Sequence, residues 1–277
     1  MPSRIRSLPR VLDAGPVTLA ERQAPVPATA QRIALVAHWT PDERQPLATT
    51  RLISELQRLD YRVVVCSTSP SPGPLAFGAD PAVRLDELTV LRRENVGYDF
   101  GSWTVAMDTV PEVLSRQHVL MVNDSLVGPF APLDDVVAHF EATTADIWGM
   151  VESDQFTSHL QSFFRGFAHA VLAEPAMRRW WADLRVIPDK FALIQRYEFG
   201  FTAFTREKAY STTAYVHHSD VVRDGLNPTM YGWRALLDAG VPFVKRELVR
   251  DPKLAPDGDS LRAVVGARYG IDVDDWL

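Results

Sequence analysis

The feature that most constrains this chain is an alternation of short apolar runs with stretches of helical spacing. Residues 32–39 (RIALVAHW) read as a buried strand, and residues 45–59 place Leu47, Leu52, Ile53, Leu56 and Leu59 at helical spacing. Residues 61–67 (YRVVVCS) read as a second buried strand. A strand, a helix and a strand in that order pack as a crossover with the two strands parallel. The pattern continues with a strand at 88–92, a helix at 101–115, a strand at 118–123, an amphipathic helix at 132–142 and a strand at 146–151. The expected fold is therefore α/β, a Rossmann-like domain with a mostly parallel central sheet and helices on both faces.

Past residue 150 the alternation weakens. The aromatic-rich residues 156–167 and the helix-like residues 174–185 have no strand of comparable strength between them. No repeat or low-complexity block marks a hinge, so the expectation is one continuous domain. Its parts are a proline-bearing lead-in or strap at 1–31, a nucleotide-binding half at 32–150 and a substrate-binding half at 151–277. The lead-in is expected to be dispensable for the sheet.

Composition narrows the function. With 46% apolar residues over 277 positions the chain can bury a substantial core. A net charge of -6 provides no broad basic field for a phosphate backbone, so nucleic acid is not an expected partner. The single cysteine, Cys66, lies inside an apolar run and reads as a buried structural thiol. Arg4, Arg6 and Arg10 precede no apolar core of signal-peptide type, and no window approaches ~18 uninterrupted apolar residues. The expected location is the cytoplasm. Trp180 and Trp181 read as part of an amphipathic helix packed on the core, which leaves at most peripheral membrane contact.

In an open parallel sheet ligands collect at the carboxyl ends of the strands, and two strand ends here bear unusual polar residues. The first is the run from Arg92 to Trp103. Asn95 and Asp99 can bond a base or ribose edge, while Gly97 and Gly101 permit a sharp turn or a close backbone approach. The same residues also suit an Asx-type turn, with Asp99 or Ser102 capping a helix that starts near Gly101. The second is Asn123-Asp124-Ser125, where an apolar strand ends in an amide, a carboxylate and a hydroxyl. Asp124 there suits a Mg²⁺ or Mn²⁺ ion, which needs only one or two carboxylates beside substrate phosphates. The alternative is a turn in which Asp124 accepts from backbone amides.

These segments together resemble the rhamnan-synthesis F family of bacterial cell-wall polysaccharide proteins. The matching residues are ENVGYDFGSW at 94–103, NDS and GP within 123–129, WGM at 148–150, HLQSFF at 159–164, YEFGFT at 197–202 and PFVKRELVRDP at 242–252. They run in the family's order, and the resemblance spans about residues 32–252. The family is regarded as glycosyltransferase-like. The chain is also similar to the wider group of GT-A-like transferases with a single nucleotide-sugar-binding α/β domain. In that group an Asp-x-Asp element holds the metal and diphosphate; here Asn123 replaces its first aspartate. The resemblance implies that Asn95, Gly97 and Asp99 meet the donor nucleotide and that Asn123 and Asp124 sit at the diphosphate, with Asp124 on a divalent cation. Acceptor-side chemistry then falls to later residues.

His159 and Gln161 are polar groups set among Leu160, Phe163 and Phe164, the pattern of a sugar site, although a half-buried structural histidine gives the same pattern. Glu198, among aromatic neighbours, suits a general base for an acceptor hydroxyl; a salt bridge to Arg196 or Arg206 is its plain alternative. Lys245 and Arg246 can place positive charge near a diphosphate or form a solvated strand end. His217 and His218 near Asp220 invite a metal reading, but adjacent strand residues point to opposite faces and do not readily share one ion. The leading expectation is a glycosyltransferase moving a hexose or deoxyhexose, such as rhamnose, from a nucleoside diphosphate sugar to a glycan or lipid-linked glycan with inversion. Its rivals are a non-catalytic nucleotide- or glycan-binding module, favoured by Asn123, and a phosphoryl or nucleotidyl transferase, which the lack of a G-x-x-x-x-G-K-[ST] loop disfavours.

Overall fold

The computed structural model describes residues 7–277. Among the described residues two elements precede the first expected strand: a short helix α1 (Val11–Ala14) and a strand β1 (Val17–Arg22). Then follow β2 (Arg32–His38), α2 (Leu47–Arg58), β3 (Arg62–Ser67), β4 (Leu88–Arg93), α3 (Tyr98–Thr109) and β5 (His118–Asn123). A two-residue strand β6 (Leu126–Val127), helix α4 (Asp134–Glu141) and strand β7 (Ile147–Ser153) complete the first half. The alternation expected up to residue 151 is thus present, with ends shifted by one to three residues.

One helix departs further. It starts at Tyr98 rather than Gly101, because Gly97 takes a left-handed turn (φ 81°) just before it, and no side chain caps it. Asp99 therefore lies in the first turn, free of the capping role. The helix stops at Thr109, and Pro111, which lacks an N–H, begins a separate 3-10 turn at Pro111–Ser115.

The second half contains strands that the sequence did not disclose. These are β8 (His159–Leu160), β9 (Phe164–Ala168) and β10 (Thr212–Val216); between the last two lie α5 (Pro175–Ala182), α6 (Lys190–Leu193), a π-helical turn (Ile194–Phe199) and α7 (Gly200–Glu207). Strand β9 reads FRGFA, and a charged residue and a glycine at its centre erase the strand pattern. The sheet has the order β1-β4-β3-β2-β5-β9-β7-β10. The run β4-β3-β2-β5 and the pair β7-β10 are parallel, whereas β1 and β9 run antiparallel to their neighbours.

Both faces are covered, as the sequence implies. Ala34, Val36, Val63 and Val65 pack with α2 and α4, while Ile33, Leu35, Val64 and Cys66 pack with α3, α5 and α7. The period-2 alternation along each strand divides one apolar run between two cores. Leu35 is 0% exposed, and truncating such a residue to alanine costs about 2–5 kcal/mol. Burial pushes the Cys66 thiol up to about 12, so it remains a neutral core residue. Trp181 is buried against Phe100 and Phe167.

Part of the lead-in is integral. Strand β1 pairs with β4 as an edge strand, Arg93 donates to the Gly15 carbonyl at 2.9 Å, and Arg92 pairs with Glu21 at 2.9 Å. At the other end, strand β11 (Val244–Lys245) pairs with β6, and a third apolar cluster joins Trp233, Val244, Leu248 and Trp276. Among the described residues no helix is long and apolar enough to cross a membrane.

Candidate functional site

The chain runs from β2 outward to β3 and β4, then returns to place β5 on the opposite side of β2. The carboxyl ends of β2 and β5 therefore flank the point where strand order reverses, and side chains there face a crevice rather than a crossover. A cavity of about 490 Å³ opens beside the end of β5, bounded by the start of α3, the π-helical turn and β11.

Asn123 ends β5. Its Nδ2 donates to Asp99 Oδ2 at 2.7 Å, and its Oδ1 accepts from the Ser125 amide at 3.1 Å and the Ser125 hydroxyl at 2.6 Å. Burial pushes the Asp99 carboxyl up to about 6, and the negative charge of Asp124 adds to that. The Asn123 hydrogen bond, Lys245 and Lys190 pull the other way. Asp124 turns aside: its Oδ2 accepts from the Trp39 amide at the end of β2 at 2.8 Å, and its carbonyl accepts from Arg246 Nε at 2.9 Å. Asp124 thereby ties the two strand ends together.

The opposite wall comes from the second half of the chain. His159 is buried, its ring centroid 4.7 Å from that of Phe199 and its Nδ1 2.7 Å from the Thr157 carbonyl. Burial lowers its pKa, which favours the neutral imidazole. Gln161 donates to Asn227 Oδ1 at 3.2 Å, and its buried Oε1 has no hydrogen-bond partner. Glu198, on the π-helical turn, accepts from the Ser162 amide at 2.7 Å; among the described residues neither Arg196 nor Arg206 pairs with it. Lys245 Nζ lies 5.3 Å from the centre of the Phe163 ring, and burial lowers its pKa.

The structure thus gathers Asp99, Asn123, His159, Gln161, Glu198 and Lys245 around one cavity. It leaves three residues singled out by the sequence off the lining. Asn95 is exposed on the connection before α3. Gly97 approaches the lead-in instead of a ligand, since a Cβ there would meet Val11 at 2.8 Å. Asp124 stands beside the lining at the β2–β5 junction. In turn, Lys190, Arg250 and Asn227 line the cavity without having drawn attention in the sequence. Tyr98 (φ 52°) and Phe156 (φ 68°) also line it, each a non-glycine residue in a left-handed conformation. Such strain persists only where surroundings impose it and gathers at functional sites.

Two places offer donors for a divalent cation. Asp124 has one carboxylate oxygen, Oδ1, without a hydrogen bond among the described residues, enough for a single contact to an ion otherwise held by phosphates. The only set of three ligating groups close enough to share an ion among the described residues is Asp154, His218 and Asp224, whose ligand atoms lie within 4.8 Å of one another. His218 belongs to that set, while His217 meets Glu152 Oε2 at 2.8 Å, the same oxygen that lies 3.8 Å from His218 Nδ1.

The chain is 24% identical over 253 residues to virulence protein VirA of Vibrio anguillarum, covering 80% of each. It is 21% identical over 154 residues to protein y4gN of Sinorhizobium fredii, covering 54% of this chain and 40% of that one. A mannosyltransferase from Pyrobaculum calidifontis, solved with GDP-Man and Mn²⁺, aligns with 96% of this chain and 81% of its own at 16% identity and a TM-score of 0.36. The family profile of rhamnan synthesis protein F matches residues 83–266, about two thirds of the sequence and every residue lining the cavity, and the chain belongs to that family.

Proposed function

We propose that the protein is a glycosyltransferase that passes a hexose or deoxyhexose, such as rhamnose, from a nucleoside diphosphate sugar to a cell-surface glycan acceptor, free or lipid-linked, with inversion. The observation behind this reading is the composition of the cavity wall. Lys190, Lys245, Arg246 and Arg250 supply cations for a diphosphate, and Phe163 and Phe199 supply apolar faces beside the amides of Gln161 and Asn227. Rings with a few aimed hydrogen bonds suit a sugar, and clustered cations suit a leaving diphosphate.

In this reading Glu198 is the general base, held by the Ser162 amide so that its second oxygen is available to an acceptor hydroxyl. Neutral His159 lies alongside it. Asp99 and Asn123 form the floor at the donor side. A Mg²⁺ or Mn²⁺ ion, where it takes part, meets Asp124 Oδ1 and supplies charge to the diphosphate. A non-catalytic binding module is the second reading. It is favoured by the Asn123 amide, whose two ends are both spent on protein partners.

A panel of nucleoside diphosphate sugars, incubated with and without Mn²⁺ and assayed for released nucleoside diphosphate, tests the proposal. Thermal shift by the matching diphosphates runs in parallel, since a ligand that binds only the native state raises its stability. Consumption of one sugar nucleotide together with stabilisation by its diphosphate supports the transferase. Stabilisation without turnover for any donor and acceptor supports the binding module. No stabilisation and no turnover would sink both.

A further inference from the structure

Strands β7 and β10 run parallel at one edge of the sheet, so their carboxyl ends lie side by side. Asp154 follows β7 directly, and His217 and His218 follow β10. The segments after parallel strands are where such sheets collect ligands. Asp224, in the turn before Asn227, reaches the same place: Asp154, His218 and Asp224 each offer one ligand atom, and the three atoms lie within 4.8 Å of one another. None of the three lines the large cavity.

The surroundings of His218 set this cluster apart from an ordinary ion pair. Its Nε2 lies 3.5 Å from Asp154 Oδ2 and 3.6 Å from Asp224 Oδ1. Its buried Nδ1 has no hydrogen-bond partner, with Glu152 Oε2 3.8 Å away. An imidazolium among three carboxylates would close its N–H groups onto them at about 2.7–2.9 Å, the length of a charge-assisted hydrogen bond. Neighbouring His217 does so, at 2.8 Å from Glu152. His218 stands off on both sides. Its separations from the two aspartate oxygens are close to the edge of a tetrahedron of nitrogen and oxygen ligands, each roughly 2.0–2.2 Å from a central ion. The side chains of His218 and Asp154 are only 19% and 20% exposed, so water alone screens the facing acceptors poorly. Asp154 is also fixed in place, both its oxygens accepting from the Gly225 amide at 3.0 and 2.9 Å. Glu152, behind Nδ1, stands where a carboxylate supports a metal-bound histidine.

We propose that Asp154, His218 Nε2 and Asp224 form a binding site for one divalent transition-metal ion of the Zn²⁺ type, distinct from any ion at Asp124. Imidazole beside two carboxylates favours such an ion over Mg²⁺ or Ca²⁺, which prefer oxygen ligands alone. Its place in the chain gives the ion a task. Asp154 precedes Gln155 and Phe156, and Asp224 lies three residues before Asn227; Gln155, Phe156 and Asn227 all line the large cavity. Asn227 Nδ2 donates to Gln155 Oε1 at 3.0 Å, and Asn227 Oδ1 accepts from Gln161 Nε2 at 3.2 Å. The ion clamps together the two loops that hold this amide chain. Its role is structural and independent of the transferase reading.

The test uses the full chain without an affinity tag, stripped with EDTA and titrated calorimetrically with Zn²⁺, with Mg²⁺ as the control ion. One Zn²⁺ per chain is expected, with a rise in Tm of roughly 5 °C once free Zn²⁺ exceeds its Kd about 100-fold. The Asp224 side chain is 91% exposed, so Asp224→Ala leaves the packing intact. That variant is expected to bind Zn²⁺ at least ~10-fold more weakly, and His218→Ala more weakly still. Asp124→Ala is expected to retain the site. Crystals grown with Zn²⁺ are expected to show an anomalous peak at the zinc edge between Asp154 and His218. If His218→Ala fails to fold, Asp224→Ala and the anomalous peak decide the matter together. Lack of saturable Zn²⁺ binding by the wild-type chain would overturn the proposal. So would equal binding of Mg²⁺, or a Zn²⁺ site that survives both substitutions or is lost in Asp124→Ala.

Discussion

Asn123 Nδ2 donates to Asp99 Oδ2 at 2.7 Å, which joins the end of β5 to the first turn of α3 through a bond that needs an N–H donor at position 123 and an oxygen acceptor at position 99. An aspartate at position 123 would set two carboxylates at that distance. Asn123→Asp is therefore expected to lose roughly 3 kcal/mol of stability at pH 8 and to regain most of it near pH 5, where the pair shares a proton. Denaturant unfolding at the two pH values checks this. Equal losses at both would mean that geometry, not charge, dominates.

Asp99 itself predicts a pH dependence. Its folded pKa of about 6 lies above the ordinary value of 3.8, so the folded state binds the proton more tightly than the unfolded chain. The stability this contributes is fully present below pH ~4 and is lost as pH rises through ~6. Asp99→Asn keeps an acceptor for Asn123 and removes the titration. Relative to wild type the variant is expected to gain stability between pH 4 and 7, by at most ~3 kcal/mol. A difference that stays flat over this range would contradict the assignment.

Asp124 and Glu198 are expected to fail in different ways. Asp124→Ala should weaken nucleotide binding and turnover together, because both the strand junction at Trp39 and any cation contact are lost. Glu198→Gln should leave nucleotide affinity near wild type while the chemical rate falls by ~10²- to 10⁴-fold. Titration calorimetry and single-turnover kinetics separate the two. A well-folded Glu198→Gln protein with normal turnover would direct the search for the base to Asp154, His159 or Asp220.

The lead-in offers a stability test. Val11 is 1% exposed, its amide donates to the Leu184 carbonyl at 2.8 Å, and β1 covers the edge of β4. A chain beginning at Arg32 is expected to lose at least ~2 kcal/mol, contrary to the dispensability that the prolines of residues 1–31 imply. Chemical denaturation of the two chains, with their m-values compared, measures it. Unchanged stability would show that β1 and α1 add little to the sheet.

By itself the sequence determined the elements whose periodicity is local. The runs that became β2, β3 and β5, and the leucine spacing of α2, can be read because whether a residue faces a core depends on its place within a few neighbours. It also marked Asp99, Asn123, His159, Gln161, Glu198 and Lys245 among the residues that line the cavity, since an amide at a strand end or an acid among aromatic rings is unusual wherever it lies. The tertiary structure alone decided β9, whose Arg165 and Gly166 hide a strand that only its neighbours β5 and β7 stabilise. It decided, too, that Asp124 faces Trp39 while Asp99 faces the cavity, and that Lys190, Asn227 and Arg250 join them. Those contacts link segments far apart in the chain, and their geometry comes from strand order and helix packing, which no local window of residues contains.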